Sequence, residues 1–291
     1  MSASNKALEG KLSAEEYFQQ GELDLALAAA AEQVKQAPDD DGNRILFVEL
    51  LCISGEFERA DSQLNALMTL KPDLGLAVAT WRQVVHAAQI RADVFALKAK
   101  PELIEEPTPS ITVALDLLVA LGEKDDKRVV ELTEKIDSDD SNNQFSMNDQ
   151  APLMLRDLDD VTANIFEVLG TNGKYFWVDL AQIVEIELLK PERILDVLWR
   201  KANIVLTNGT EGEVYIPAIY PTLDDHAAAL GRKTEWQDVA GLYRGVGLRS
   251  WLLGDEELSI NDHQTILLKN NAHMKGDSNN TGDAANKAVQ N

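Results

Sequence analysis

Gly21-Glu22-Leu23-Asp24-Leu25-Ala26 returns thirty-four residues later as Gly55-Glu56-Phe57-Glu58-Arg59-Ala60. The echo continues to Pro38, which recurs as Pro72. Each recurring position has a physical use. Glycine adopts left-handed backbone without steric cost, so the chain can reverse between two helices. Alanine at 26 and 60 lets a second helix approach its neighbours closely. Proline has no N–H to continue the helix and ends it. The repeated unit is therefore a helix, a tight turn and a second helix.

Thirty-four residues is the period of the tetratricopeptide repeat, whose units stack into solenoids with grooves that bind other proteins. Working outward, Ser13-Ala14-Glu15-Glu16 fits a capping box and starts a short helix at Ala14 that stops at Gly21. An alanine-rich helix follows from Leu23 to Gln36, closed by Pro38 and Asp39-Asp40-Asp41. The second unit runs over Arg44–Ser54, apolar on most sides, and Glu56–Leu70. A longer helix over Leu74–Ala99 is expected to cover the last unit. Pro101, Pro107 and Pro109 mark a linker over Lys100–Ser110. Ile111–Leu121 and Lys127–Ile136 form a further helical pair around Gly122, a degenerate repeat without the alanine.

The period changes after Asp137–Gln150, an acidic stretch that reads as a solvated loop. Asn172-Gly173 and Asn208-Gly209 are strong hairpin signals. The first separates Ala163–Thr171 from Lys174–Leu180, and the second separates Asp196–Thr207 from Gly212–Tyr220. Ile183–Leu188 and Val246–Leu253 read as further strands. The expected fold class is α+β and multidomain, a tetratricopeptide-like helical domain followed by a β-rich α+β domain. Its divisions are a frayed N-terminus at 1–12, the helical domain at 13–136, an acidic linker at 137–152, the β-rich domain at 153–268 and a disordered tail at 269–291.

The chain has 291 residues and a formal charge of −22, from 49 acidic and 27 basic side chains. That balance repels nucleic acid and anionic membrane, and it favours a basic or amphipathic protein partner or simply keeps the surface soluble. No apolar run is long enough to span a bilayer, and the N-terminus lacks a signal-peptide apolar region, so a cytoplasmic protein without membrane insertion is expected. The lone cysteine, Cys52, lies in Leu50-Leu51-Cys52-Ile53 and reads as a packing thiol.

Catalytic signatures are missing. The four histidines, His86, His226, His263 and His273, have no metal-ligand spacing. Asp137, Asp139 and Ser141 imitate the start of a calcium loop, but Asn142 stands at its glycine position and Asn148 at its closing glutamate. Gly245-Val246-Gly247 lacks a third glycine and precedes a strand. No enzyme, metal or cofactor is expected. Tyr175-Phe176-Trp177, Trp199, Tyr215 and Tyr220 read as core. In repeats of this kind the first helix of each pair lines the concave face, here Glu15, Phe18 and Gln19, then Ile45, Glu49, Cys52 and Ile53. An acidic and apolar face fits an amphipathic helix with basic flanks better than a terminal carboxylate. The same residues could instead pack on the following helices.

From Ser13 to Leu268 the chain also resembles a known family, the ImpE/TagJ accessory proteins of bacterial type VI secretion systems. The N-terminal half matches in Gly21-Glu22-Leu23-Asp24, Leu50-Leu51-Cys52, Gly55–Ala60 and Arg91-Ala92-Asp93-Val94-Phe95. The more specific motifs follow in order: Asn172–Val178, Asp196-Val197-Leu198-Trp199, Ala202, Asn208-Gly209, Ile216–Pro221, Thr234-Glu235-Trp236 and Gly245-Val246-Gly247-Leu248-Arg249. The chain departs from the pattern at Ile219, where arginine is usual, and at Arg200-Lys201, where proline usually follows Trp199. The resemblance implies a non-enzymatic accessory that binds the N-terminal helix of the small contractile-sheath subunit, TssB, and assists sheath handling around disassembly by the ClpV ATPase. A general repeat cochaperone or scaffold outside secretion is the alternative. An enzyme with a polar pocket in the second domain is a third reading.

Overall fold

A computed structural model describes residues 12–137, 143–148, 150–221, 226–261 and 264–274. Helix α1 spans Ala14–Gln20, with the Ser13–Glu16 capping box in place and Gly21 left-handed at φ 86°. Helix α2 spans Leu23–Gln36. Helix α3 spans Asp41–Ile53, three residues earlier than the apolar pattern suggests, because the Asp40 side chain accepts from the Asn43 N–H and caps it. Helices α4 and α5 cover Phe57–Leu70 and Gly75–Phe95. Each of the five packs on the next, and Ala26 and Ala60 are fully buried at their crossings. None is long and apolar enough to cross a membrane, nor is any other helix among the described residues.

The linker crosses tightly. The Glu102 N–H donates to the Tyr175 carbonyl, and its own carbonyl accepts from Trp177 N–H, so it covers a strand edge. Helices α6 (Pro109–Glu123) and α7 (Asp126–Asp137) pair with each other, and α6 packs on the second half of the chain at 160–162.

Among the described residues, ten strands make one antiparallel sheet. They are β1 (Gln144–Met147), β2 (Leu153–Asp157), β3 (Ile165–Gly170), β4 (Tyr175–Asp179), β5 (Ile183–Leu188), β6 (Trp199–Leu206), β7 (Glu211–Pro217), β10 (Ser250–Leu253), β11 (Glu256–Ser259) and β12 (Ile266–Asn270). Between β7 and β10 in the chain, β8 (Thr234–Val239) and β9 (Leu242–Gly247) form a separate hairpin. The spatial order is β11-β10-β2-β1-β12-β5-β6-β7-β3-β4. Seven strand spacings part β10 from β3, about 34 Å in a flat sheet. Yet the rings of Trp251 and Phe166 on those strands lie 5.2 Å apart. The sheet therefore curls until its ends meet around one apolar interior.

Both asparagine–glycine hairpins form, joining β3 to β4 and β6 to β7. Other expectations are corrected. The stretch read as a solvated linker contains β1, which pairs with both β2 and β12 and buries Phe145 completely. Residues 269–274, expected as the start of a disordered tail, instead hold the end of β12 and a short helix over Asn271–Met274. The strand expected over Val246–Leu253 is two, broken where Gly247 turns at φ 88°. Most of the calcium-like loop, and His263, lie outside the described residues.

The two faces of β3 explain how the halves join. Phe166 and Val168 point into the curled interior, while Ile165 and Leu169 share a core with the helices. Between them on the helical side sits Glu167, 1% exposed. Arg91 of α5 grips it at 2.7 and 3.1 Å and also donates to the Ile219 carbonyl at 3.0 Å. Arg249 bonds Glu167 on one side and Asp157 on the other. Tyr175 donates to Glu167, and Tyr220 donates to Asp157 at 2.8 Å. Burial alone would raise the Glu167 carboxyl, but the two guanidinium groups outweigh it and hold the pKa at about 2. On Asp157 burial prevails over Arg249 and pushes the carboxyl up.

The Glu167 value lies below the ordinary 4.5, so the stability it contributes is present above 4.5 and lost as pH falls toward 2. Glu167→Gln is expected to cost about 3 kcal/mol at neutral pH, the scale of breaking a buried ion pair. Urea unfolding of both proteins at pH 7 and pH 3 checks this, since the difference should shrink at the lower pH.

Candidate functional site

A cavity of about 1010 Å³ lies between the helical array and the sheet. Its helical wall is Ile45 and Glu49 of α3 with Ala77, Trp81 and Val84 of α5. These positions follow helical spacing, so each helix turns one stripe to the cleft. The opposite wall is the strap 189–196 with Trp199 and Lys201 of β6 and Tyr215 of β7. Trp199 is held from behind by Phe57, their rings 6.3 Å apart.

Most charges in the cleft have partners within the chain. Arg193, on the strap, donates to Glu49 at 2.8 Å, and its guanidinium lies 5.0 Å over the Trp81 ring. Burial raises the Glu49 carboxyl pKa, against the pull of Arg193. Asp196 accepts from the backbone N–H groups of Glu192 and Arg193 at 2.6 and 2.8 Å and fixes the turn of the strap. Lys201 pairs with Glu213 at 2.7 Å. The Trp81 indole N–H meets no acceptor among the described residues. Arg200, where the sequence departs from the family, is 1% exposed and bonds the carbonyls of Leu189, Ile260 and Gln264, so it anchors the start of the strap.

The seven residues expected on the concave face separate into three groups. Ile45 and Glu49 line the cleft together. Glu15, Phe18 and Gln19 lie on α1 and do not line the cleft, and Arg232 closes that end by donating to the Phe18 and Gln19 carbonyls. Cys52 and Ile53 are 1% and 0% exposed in the core, which corrects their placement on a groove surface. The half of the cleft that the sequence reading missed comes from residues about 144 positions away, the separation of Glu49 and Arg193. Asp196 and Trp199 were visible as a motif, but without a location.

The ionisable cluster of Asp157, Glu167, Tyr175 and Arg249 is buried away from the cleft and takes no part in its lining. No group of three or more histidine, cysteine, aspartate or glutamate side chains could hold a metal among the described residues. His86 donates from Nδ1 to the Gly173 carbonyl at 2.9 Å and pins the β3–β4 turn to α5. Gly245 and Gly247 have structural duties: a side chain at 245 would strike the Tyr220 ring, and one at 247 the Lys233 carbonyl.

Helical array, curled antiparallel sheet and a cleft between them define a two-part α+β protein. A family model for ImpE protein matches residues 149–267. The type VI secretion system accessory component TagJ of Pseudomonas aeruginosa is 30% identical over 253 residues, covering 86% of this chain and 88% of that protein. The crystal structure of protein VPA1032 from Vibrio parahaemolyticus superposes with a TM-score of 0.81 at 32% identity, covering 89% of this chain and 98% of that one. The chain belongs to the ImpE/TagJ family.

Cys52 is enclosed, and burial, with the nearby Glu49 charge, pushes its thiol pKa well up. Reaction with a thiol reagent is expected only at the rate of unfolding, rising by orders of magnitude in denaturant. A disulfide-exchange assay with and without urea checks it.

Proposed function

We propose that this chain is a cytoplasmic, non-enzymatic accessory protein of a type VI secretion system. In this reading it binds the N-terminal helix of a small, TssB-like contractile-sheath subunit in the cleft between its two halves. It thereby assists sheath handling and acts, indirectly, with the ClpV ATPase. The helical half serves as a short tetratricopeptide-like array that supplies one wall of the groove.

The observation that carries this reading is the cleft itself, about 1010 Å³ and lined by Ile45, Val84, Trp81, Trp199 and Tyr215. A helix 10–12 Å across rises about 1.5 Å per residue, so this space takes roughly six to eight residues, or about two turns. Aromatic and aliphatic side chains beside charges that are mostly paired within the chain suit the apolar stripe of an amphipathic helix. The name of the Pseudomonas relative supports the secretion context. Against catalysis stands the location of the ionisable cluster, buried away from the cleft with its groups bonded to one another.

Two measurements test the proposal. Purified sheath subunits should be retained in a pulldown, and removing the first helix of the small subunit should abolish retention. Retention without that helix sinks the helix mechanism. Ile45→Asp should place an uncompensated charge against the bound helix and weaken binding about tenfold or more. Unchanged affinity in a variant that melts like the native protein would move the site out of the cleft.

A further inference from the structure

Glu49 is the most buried charge in the cleft. Its side chain is 8% exposed, whereas Arg193, which neutralises it, is 52% exposed. The pair is thus asymmetric: the carboxylate belongs to the wall, and the guanidinium is a visitor reaching in from the strap. The visitor also lies across the face of Trp81. A buried carboxylate beside an aromatic face is the arrangement that holds a guanidinium by paired hydrogen bonds and by attraction to the ring.

A helix entering the cleft meets this arrangement directly. It must cover Trp81 to bury its own apolar stripe, and Arg193 occupies that face. If Arg193 withdraws, Glu49 is left charged and buried with no partner, a costly state. Burial already raises its pKa with Arg193 in place. The cost disappears if the incoming helix carries a cation of its own. Such a helix also suits a chain with a formal charge of −22.

We infer that Glu49 and Trp81 form an arginine seat that the chain's own Arg193 fills at rest, and that a partner helix enters by placing its own arginine there and displacing Arg193. The strap is therefore an internal competitor. The inference rests on the proposal that the cleft receives a helix, and it adds the chemistry of that helix and the contact that restrains its entry.

The seat can be tested without a partner. Arg193→Ala, a change at a half-exposed side chain, should lower Tm by about 2–4 °C. Millimolar ethylguanidinium should restore it, while ethylammonium and sodium chloride at equal ionic strength should not, and the native protein should respond to none of them. A variant that ethylguanidinium does not rescue overturns the seat. The competition is read by calorimetric titration with a synthetic peptide of the sheath subunit's first helix. Arg193→Gln should raise affinity about fivefold or more by removing the resident competitor. Equal or weaker binding overturns the competition. Peptide binding that Ile45→Asp leaves unchanged sinks the cleft as the docking site, and the rescue experiment still decides the seat.

Discussion

One buried carboxylate organises this molecule. Glu167 sits at the middle of β3 on the side that faces the helices, where its neighbours on the strand are Ile165 and Leu169. A charge in that position is tolerable only with partners, and its two cationic ones come from different elements. Arg91 brings α5, and Arg249 brings the turn before β10 together with Asp157 of β2. Hydrogen-bond geometry is far less forgiving than apolar contact, so this cluster sets where α5 lies against the sheet. The cleft is a consequence, because α5 forms one wall and the strands beyond β3 carry the other.

The cluster also gathers residues that are spread across the chain. Arg91, Tyr175, Tyr220 and Arg249 stand in four separate motifs, yet they meet within one network. Gly245 leaves room for the Tyr220 ring that reaches Asp157, and Gly247 makes the turn that aims Arg249. A glycine pair that looks like a weak phosphate loop in sequence is a packing requirement of a buried tyrosine and a buried arginine.

Much of the helical half was legible because its signals are local. Ser13, Gly21 and Pro38 act on their immediate neighbours, so the bounds of α1 and α2 follow from the residues at their ends. Asparagine–glycine turns are equally local, and both hairpins formed where they stand. The remaining strands were hidden for physical reasons. β1 is only four residues long inside an acidic stretch, and its strand character comes from its neighbours β2 and β12, the latter more than a hundred residues later. β8 exposes most of its side chains and β11 half of its four, and neither carries an apolar alternation to read. The same division applies to the cleft. Ile45 and Glu49 follow from helical periodicity, but the strap and Tyr215 join them only through the curl of the sheet.

The two walls of the cleft are held in different ways, and that difference bears on how it works. The helical wall and the β-strand wall are tied through Glu167, Arg91 and Arg249, charged groups with almost no exposure. The strap between them is anchored at its start by buried Arg200, but its middle rests on a partly exposed guanidinium and on a turn closed by Asp196, a carboxylate that accepts from two backbone N–H groups. Opening the strap exchanges a half-solvated ion pair for water and for whatever enters, while opening the walls would strip a buried charge of its partners. The first is offset when an entering cation takes the place of Arg193 beside Glu49, and the second has no such substitute. A groove with rigid sides and a loosely held bar can keep its shape while its entrance responds to the partner's charge.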